Sequence, residues 1–228
     1  MKKMPSLLEL HLASCGISSI PPSSPFLNNT SISVLDLSGN PLNTSMPFWL
    51  FNMSTLTELN VYASSLIGHI PSMSGRWNLC KIQNLNLGFN DLTGDITELI
   101  EALSCSNQSL EFLHLKFNQL TGKLPHSLEQ FTSLYDLDLS SNSVNSHTGV
   151  SGPIPASIGN LSNLVYLNMD SNMLNGESPE SIGKLTNLRS LHLRENYWEG
   201  TLTNLHFHNL TTWYIYLCHQ NKIHFLSK

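Results

Sequence analysis

With 228 residues, 40% hydrophobic and 12% charged, the chain has the apolar content of a folded domain and not of a disordered one. Its 11 basic and 16 acidic residues give a formal charge of -5, which leaves no basic stripe for a nucleic-acid partner. No apolar run reaches the roughly 18 residues of a membrane span, and Met1-Lys2-Lys3-Met4-Pro5 leads straight into patterned sequence, so neither an export signal nor an anchor is expected in this chain.

From Leu7 onward the chain repeats the frame L-x-x-L-x-L-x-x-N-x-L-x-G-x-I-P roughly every 24 residues, the signature of a solenoid. The first apolar position of each copy falls at Leu7, Ile32, Leu56, Ile82, Leu110, Leu134, Leu164, Leu188 and Trp213, which predicts nine turns. Each L-x-L segment reads as a short strand, because a slip of one residue would carry pairs such as Leu59 and Val61 from the core to solvent. In the first turn Cys15 stands where later copies have asparagine, and in the third Ser64 does, so these turns are expected to be looser. Cys80 and Cys105 stand just ahead of the strands of the fourth and fifth turns, where neighbouring backbones come within reach of a disulfide; the alternative is two buried free thiols. Between the sixth and seventh turns Ser146 to Ser151 are inserted and predict a mobile loop. In the ninth turn Cys218 is read as replacing a core leucine.

The asparagines at 40, 90, 118, 142, 172, 196 and 221 share one frame position, where an amide can satisfy backbone groups as the chain leaves its strand. Gly68, Gly94, Gly122, Gly152, Gly176 and Gly200 then permit a tight path, and Pro71, Pro125, Pro155 and Pro179 redirect the chain. The fold expected is an α/β-type repeat solenoid, a curved right-handed superhelix with a parallel β-sheet on its concave side and irregular or 3-10 segments on its convex side. Residues 1–228 form a single such domain of about nine repeats, without recognisable terminal caps.

The endings Gly68-His69-Ile70-Pro71 and Gly152-Pro153-Ile154-Pro155 resemble the plant-specific class of leucine-rich repeats. Gly159-Asn160-Leu161-Ser162-Asn163-Leu164, Trp198-Glu199-Gly200-Thr201-Leu202 and His206-Phe207-His208-Asn209-Leu210-Thr211 are similar to plant receptor-like proteins, particularly the group recognising fungal ethylene-inducing xylanase. That resemblance implies an internal stretch of an ectodomain at the outer face of the plasma membrane. It further implies an extracellular protein or peptide elicitor as ligand and leucine-rich-repeat receptor kinases as co-receptors, since the family has no kinase of its own. Three alternatives stand beside it: a secreted protein like the polygalacturonase inhibitors, the ectodomain of a receptor kinase, and a truncated product without independent function.

Residues alternating with the core leucines form columns on the concave sheet, and aromatic side chains exposed there invite a partner. The ligand-binding candidates are Phe89, Phe112, Lys116, Phe117, Tyr166, Asp170 and Arg194. Asn28, Asn52, Asn160 and Asn209 each begin a glycosylation sequon four residues before the first apolar position of a turn, and Asn29, Asn43 and Asn107 begin further sequons out of that register. His11, His114 and His192 share a column but belong to separate turns, and His206-Phe207-His208 has no third ligand, so no metal site is expected. No P-loop, nucleophile elbow or H-E-x-x-H motif occurs, and neither catalysis nor a cofactor is predicted.

Overall fold

A computed structural model describes residues 6–23, 31–71, 77–143 and 148–207, together with the backbones of two further strands, Tyr214–Tyr216 and Lys222–Phe225. Each L-x-L segment forms a three-residue strand, and the strands pair in parallel, in chain order, into one sheet of nine. Its members are Glu9–His11, Val34–Asp36, Glu58–Asn60, Asn84–Asn86, Phe112–His114, Asp136–Asp138, Tyr166–Asn168, Ser190–His192 and Tyr214–Tyr216. Leu10, Leu35, Leu59, Leu85, Leu113, Leu137, Leu167 and Leu191 lie in one row across it. From Leu35 to Leu191 this row is shut from solvent, as are the first apolar residues of the second to eighth turns from Ile32 to Leu188. No single turn could bury these side chains, so the core exists only as a stack.

The ninth turn departs from the expected register. Ile215 pairs with Leu191, so the leucine row runs through Ile215, one residue earlier than a frame counted from Trp213 requires. Trp213, Cys218 and Asn221 themselves lie outside the described residues.

A second sheet, not expected from the sequence, follows the asparagine position. Its seven parallel strands are Ile67–His69, Asp91–Asp95, Gln119–Lys123, Val150–Gly152, Met173–Glu177, Tyr197–Leu202 and Lys222–Phe225. Val150 and Ser151, read from sequence as part of an inserted loop, instead pair with Gly122 and Lys123, and Val150 is fully buried. The insertion therefore ends before this strand, while residues 144–147 lie outside the described part. On the convex side Pro47, Pro125, Pro155 and Pro179 stand immediately before the 3-10 helices Phe48–Asn52, His126–Gln130, Ala156–Asn160 and Glu180–Lys184. Proline suits this place because its fixed φ starts the turn and the missing N–H is not needed there. The fourth turn carries an α-helix, Ile96–Ala102, capped by the Asp95 carboxylate on the Thr97 N–H at 2.7 Å. Beside it Trp77 stacks on Phe51 at 4.0 Å, and Cys80 is disulfide-bonded to Cys105 with the Cα atoms 4.8 Å apart.

The asparagine ladder ties these layers together. Asn40 donates to the carbonyls of Leu12, Leu37 and Ser38 and accepts from the Ile17 N–H, and Asn90 accepts from both Ser64 and Leu66. Ser64 makes fewer bonds than the ladder amides, yet it is fully buried and its hydroxyl donates to Leu37 and Tyr62. Cys15 is exposed, and its thiol reaches the Ala13 carbonyl at 3.5 Å.

Candidate ligand-binding face

The residue just before each ladder position takes a left-handed backbone. Ser14, Gly39, Ala63, Phe89, Phe117, Ser141, Ser171 and Glu195 all have φ between +50° and +66°. Small residues tolerate this region best, and a bulky side chain held there marks local strain. Phe89 and Phe117 occupy it nonetheless, 41% and 46% exposed. Their ring centroids are 4.1 Å apart, and Tyr62 of the preceding turn lies 5.0 Å from Phe89. Three successive turns thus present a continuous aromatic strip along the rim of the nine-stranded sheet.

The other candidates lie on strands of the fifth to eighth turns or at their ends. Phe112 leans on Tyr135 at 5.6 Å, and Tyr166 on His192 at 5.4 Å. Lys116 reaches Asp138 at 3.4 Å. Asp170 receives the Arg194 backbone N–H at 2.6 Å and its guanidinium at 3.1 and 3.2 Å. Asp170 is therefore largely committed to holding its neighbour, whereas the Arg194 side chain remains 47% exposed. These pairs run between adjacent turns, so the face is cross-linked by charge as well as by its ladder of backbone bonds.

The middle column has a structural task that the sequence analysis did not identify. Asp36, Asn60, Asn86, Asp138 and Asn168 each accept the backbone N–H two residues ahead, closing the end of the strand. In the eighth turn His192 holds this place, and Asp170 from the turn before caps Arg194 instead.

Tyr166 stands amid these carboxylates. Burial raises its phenol above the ordinary 10.0, Asp138 pushes the same way, a hydrogen bond with Asn168 pulls it down, and Asp136 and Asp170 raise it further. Its neutral form is favoured in the fold, so the unfolded chain ionises first. Tyr166 should therefore leave stability untouched below pH 10.0 and subtract from it as the pH climbs through the raised value. Phenolate absorbance should show a tyrosine titrating late, and Tyr166→Phe should remove that step; an unchanged titration would place the late tyrosine elsewhere.

Ser190 Oγ lies 2.8 Å from His192 Nε2, and His192 Nδ1 lies 3.7 Å from Asp170 Oδ2, a serine, histidine, aspartate succession not anticipated from the sequence. The second distance exceeds a hydrogen bond, and Asp170 already holds Arg194. His206 is buried, with Nδ1 receiving the Thr203 N–H and Nε2 meeting the Ser178 carbonyl, a hydrogen-bonded core histidine.

Of the in-register sequons, Asn52 and Asn160 are exposed at the last residues of convex 3-10 helices, and Asn160 donates to Glu129 at 2.7 Å. Asn28 and Asn209 lie outside the described residues. No helix among the described residues is long and apolar enough to cross a membrane.

The Leucine Rich Repeat family pattern matches residues 31–53, 109–131 and 163–185. Together with the two parallel sheets and the buried asparagine ladder, this defines a leucine-rich-repeat solenoid of the plant type. Within that class the chain belongs with the plant receptor-like proteins. It is 34% identical to Receptor-like protein 18 of Arabidopsis thaliana over 90% of its length and 23% of the relative's. It is 33% identical to Receptor-like protein EIX2 of Solanum lycopersicum over 63% of its length and 17% of that relative's. The chain thus spans about a quarter or less of the curated relatives it matches. Among solved structures, the plant peptide hormone receptor RGFR1 in complex with RGF2 superposes with a TM-score of 0.77 at 30% identity, over 96% of this chain and 31% of that one. The Arabidopsis HAESA ectodomain in complex with an N-terminally extended IDA peptide hormone gives 0.66 at 32% identity, over 81% and 29%.

Proposed function

We propose that this chain is a ligand-binding stretch of a plant cell-surface receptor-like protein, taking an extracellular peptide or protein elicitor on its nine-stranded sheet and signalling through leucine-rich-repeat receptor kinases. The observation that carries this reading is the strip of half-buried Tyr62 and exposed Phe89 and Phe117, strained into left-handed backbone at two of its three members. An aromatic strip beside paired charges offers the apolar anchor and polar rim that recognition surfaces share. The structures of RGFR1 and HAESA with peptide hormones support a peptide as the occupant. The receptor-like relatives support a reading without catalysis, and glycans at Asn52 and Asn160 would leave this face open because both lie on the convex side.

The test exploits the left-handed slot itself. Ser14, Ser141 and Ser171 fill it elsewhere in this chain, so a Phe89→Ser, Phe117→Ser double variant should keep its stability to within about 1 kcal/mol. A library of displayed peptides selected on the unaltered protein should yield binders that the double variant loses by about tenfold or more. Binders retained in full by a folded double variant would remove the strip from the recognition surface.

A further inference from the structure

The carboxylates at the middle of the nine-stranded sheet outnumber the permanent cations paired with them. Lys116 takes Asp138 and Arg194 takes Asp170, at 3.4 and 3.1 Å. Asp136 is left with the imidazole of His114, 3.2 Å from its Oδ2. Its Oδ1 is shielded from solvent and has no hydrogen-bond partner. A carboxylate oxygen in that position loses its water without a replacement, and such an orphan calls for an explanation.

Aromatic residues flank it on the neighbouring strands. Strand register places Phe112 directly beside Asp136 on one side and Tyr166 directly beside it on the other. Tyr135, the preceding residue, is 46% exposed and leans on Phe112. The Glu111 carbonyl receives the N–H groups of both Tyr135 and Asp136, which fixes this exposed acidic residue on the neighbouring turn. This slot between strands therefore combines an unsatisfied carboxylate oxygen, flanking aromatic residues and an excess of negative charge. Only a cation answers all three: it pairs with the carboxylate, is drawn to the ring faces and neutralises the surplus.

We propose that the slot around Asp136 is a subsite for a basic side chain, the guanidinium or ammonium group of an arginine or lysine in an extended peptide ligand. This deepens the peptide-binding reading above and rests on it. The cation reaches Oδ1 as Tyr135, the most exposed of these aromatic residues, turns outward, and the flanking Phe112 and Tyr166 then lie against the side chain's apolar stem. Asp136 and Tyr135 become recognition residues that the sequence columns alone did not single out.

The probe is N-acetylargininamide, titrated to about 50 mM against protein carrying labelled phenylalanine and tyrosine rings and followed by nuclear magnetic resonance, since one contact of this kind gives a dissociation constant in the millimolar range. The expected result is saturable shifts at Phe112, Tyr135 and Tyr166, absent with N-acetylleucinamide and weakened about tenfold or more by Asp136→Asn. Tyr135→Ala alters an exposed side chain and should weaken binding by about threefold, which keeps the test decisive if Asp136→Asn fails to fold. No shifts at these rings, equal shifts with the leucine compound, or undiminished binding in folded variants would overturn the subsite. Failure here with the displayed-peptide selection intact removes the cationic subsite alone. Peptides selected without a basic residue, yet lost by the Phe89 and Phe117 double variant, would do the same and leave the ligand-binding sheet standing.

Discussion

Replacing Asn118 by alanine should lower the stability of the solenoid by about 3–5 kcal/mol, more than any surface change on the molecule. The amide is 2% exposed and makes four hydrogen bonds. Its Nδ2 donates to the carbonyls of Leu87, Leu115 and Lys116 at 3.0, 3.1 and 3.3 Å, and its Oδ1 accepts the Leu92 N–H at 3.1 Å. Alanine removes both partners' worth of chemistry and leaves the backbone groups in place, out of reach of water. Each orphan costs about 1–3 kcal/mol, with sharing among the three carbonyls keeping the sum below simple addition. The rung also spans two turns, because Leu87 and Leu92 belong to the fourth and Asn118 to the fifth. The loss therefore falls on the contact between turns that solenoid stability depends on. Asn118→Ser should recover part of it, since Ser64 in the same frame position donates to Leu37 and Tyr62 from a fully buried site. Urea unfolding of the three proteins checks the order, and a loss for Asn118→Ala below about 1 kcal/mol would show that water enters the ladder.

The leucine rows and the asparagine ladder were legible because each depends on a residue type recurring at a fixed spacing. Alternation within each strand fixed which residues face inward, and from Leu35 to Leu191 the second row is buried. The second sheet was not legible, since a strand such as Leu120-Thr121-Gly122 brings one apolar residue and then a glycine, the composition of a turn. Pairing with the turns on both sides makes it a strand, and that is a property of the stack. The ninth turn failed for a different reason. In Tyr214-Ile215-Tyr216-Leu217 every residue can pass for an inward one, so the alternation that fixes register elsewhere is absent. Among the site residues, opposite charges at Asp170 and Arg194 stand in adjacent turns of one sequence column, a signal of their pairing, though each enters the sequence reading only as a separate ligand contact. Nothing in the sequence signalled that Phe89 and Phe117 carry left-handed backbone, because that follows from the tight exit of the strand toward the ladder.

Phe131→Ala should cost about 3–5 kcal/mol and should also divide the unfolding transition. Phe131 is 1% exposed at the end of the 3-10 helix His126–Gln130, receives the Leu134 N–H on its carbonyl and gives its own N–H to Leu128. Met53, Leu79, Leu161 and Leu185 fill the same place in other turns, three residues ahead of the first apolar position. A ring deleted from a layer of leucines leaves a cavity that neighbouring turns can close only by moving their own backbones, so little of the loss is relieved by collapse. Phe131→Leu restores what those other turns carry and should cost no more than about 1.5 kcal/mol. The position decides the second part of the effect. Phe131 lies where the fifth turn passes into the sixth, with several turns on each side, and stability passes along a solenoid only through contacts between neighbours. Weakening that link should let one flank open before the other, with the disulfide between Cys80 and Cys105 keeping the fourth and fifth turns joined on the earlier side. Hydrogen exchange should then show the amides of the seventh and eighth turns losing protection ahead of those in the fourth and fifth. A uniform loss across the chain would mean instead that the stack melts as a single unit and that the interfaces between turns outweigh any one layer of the core.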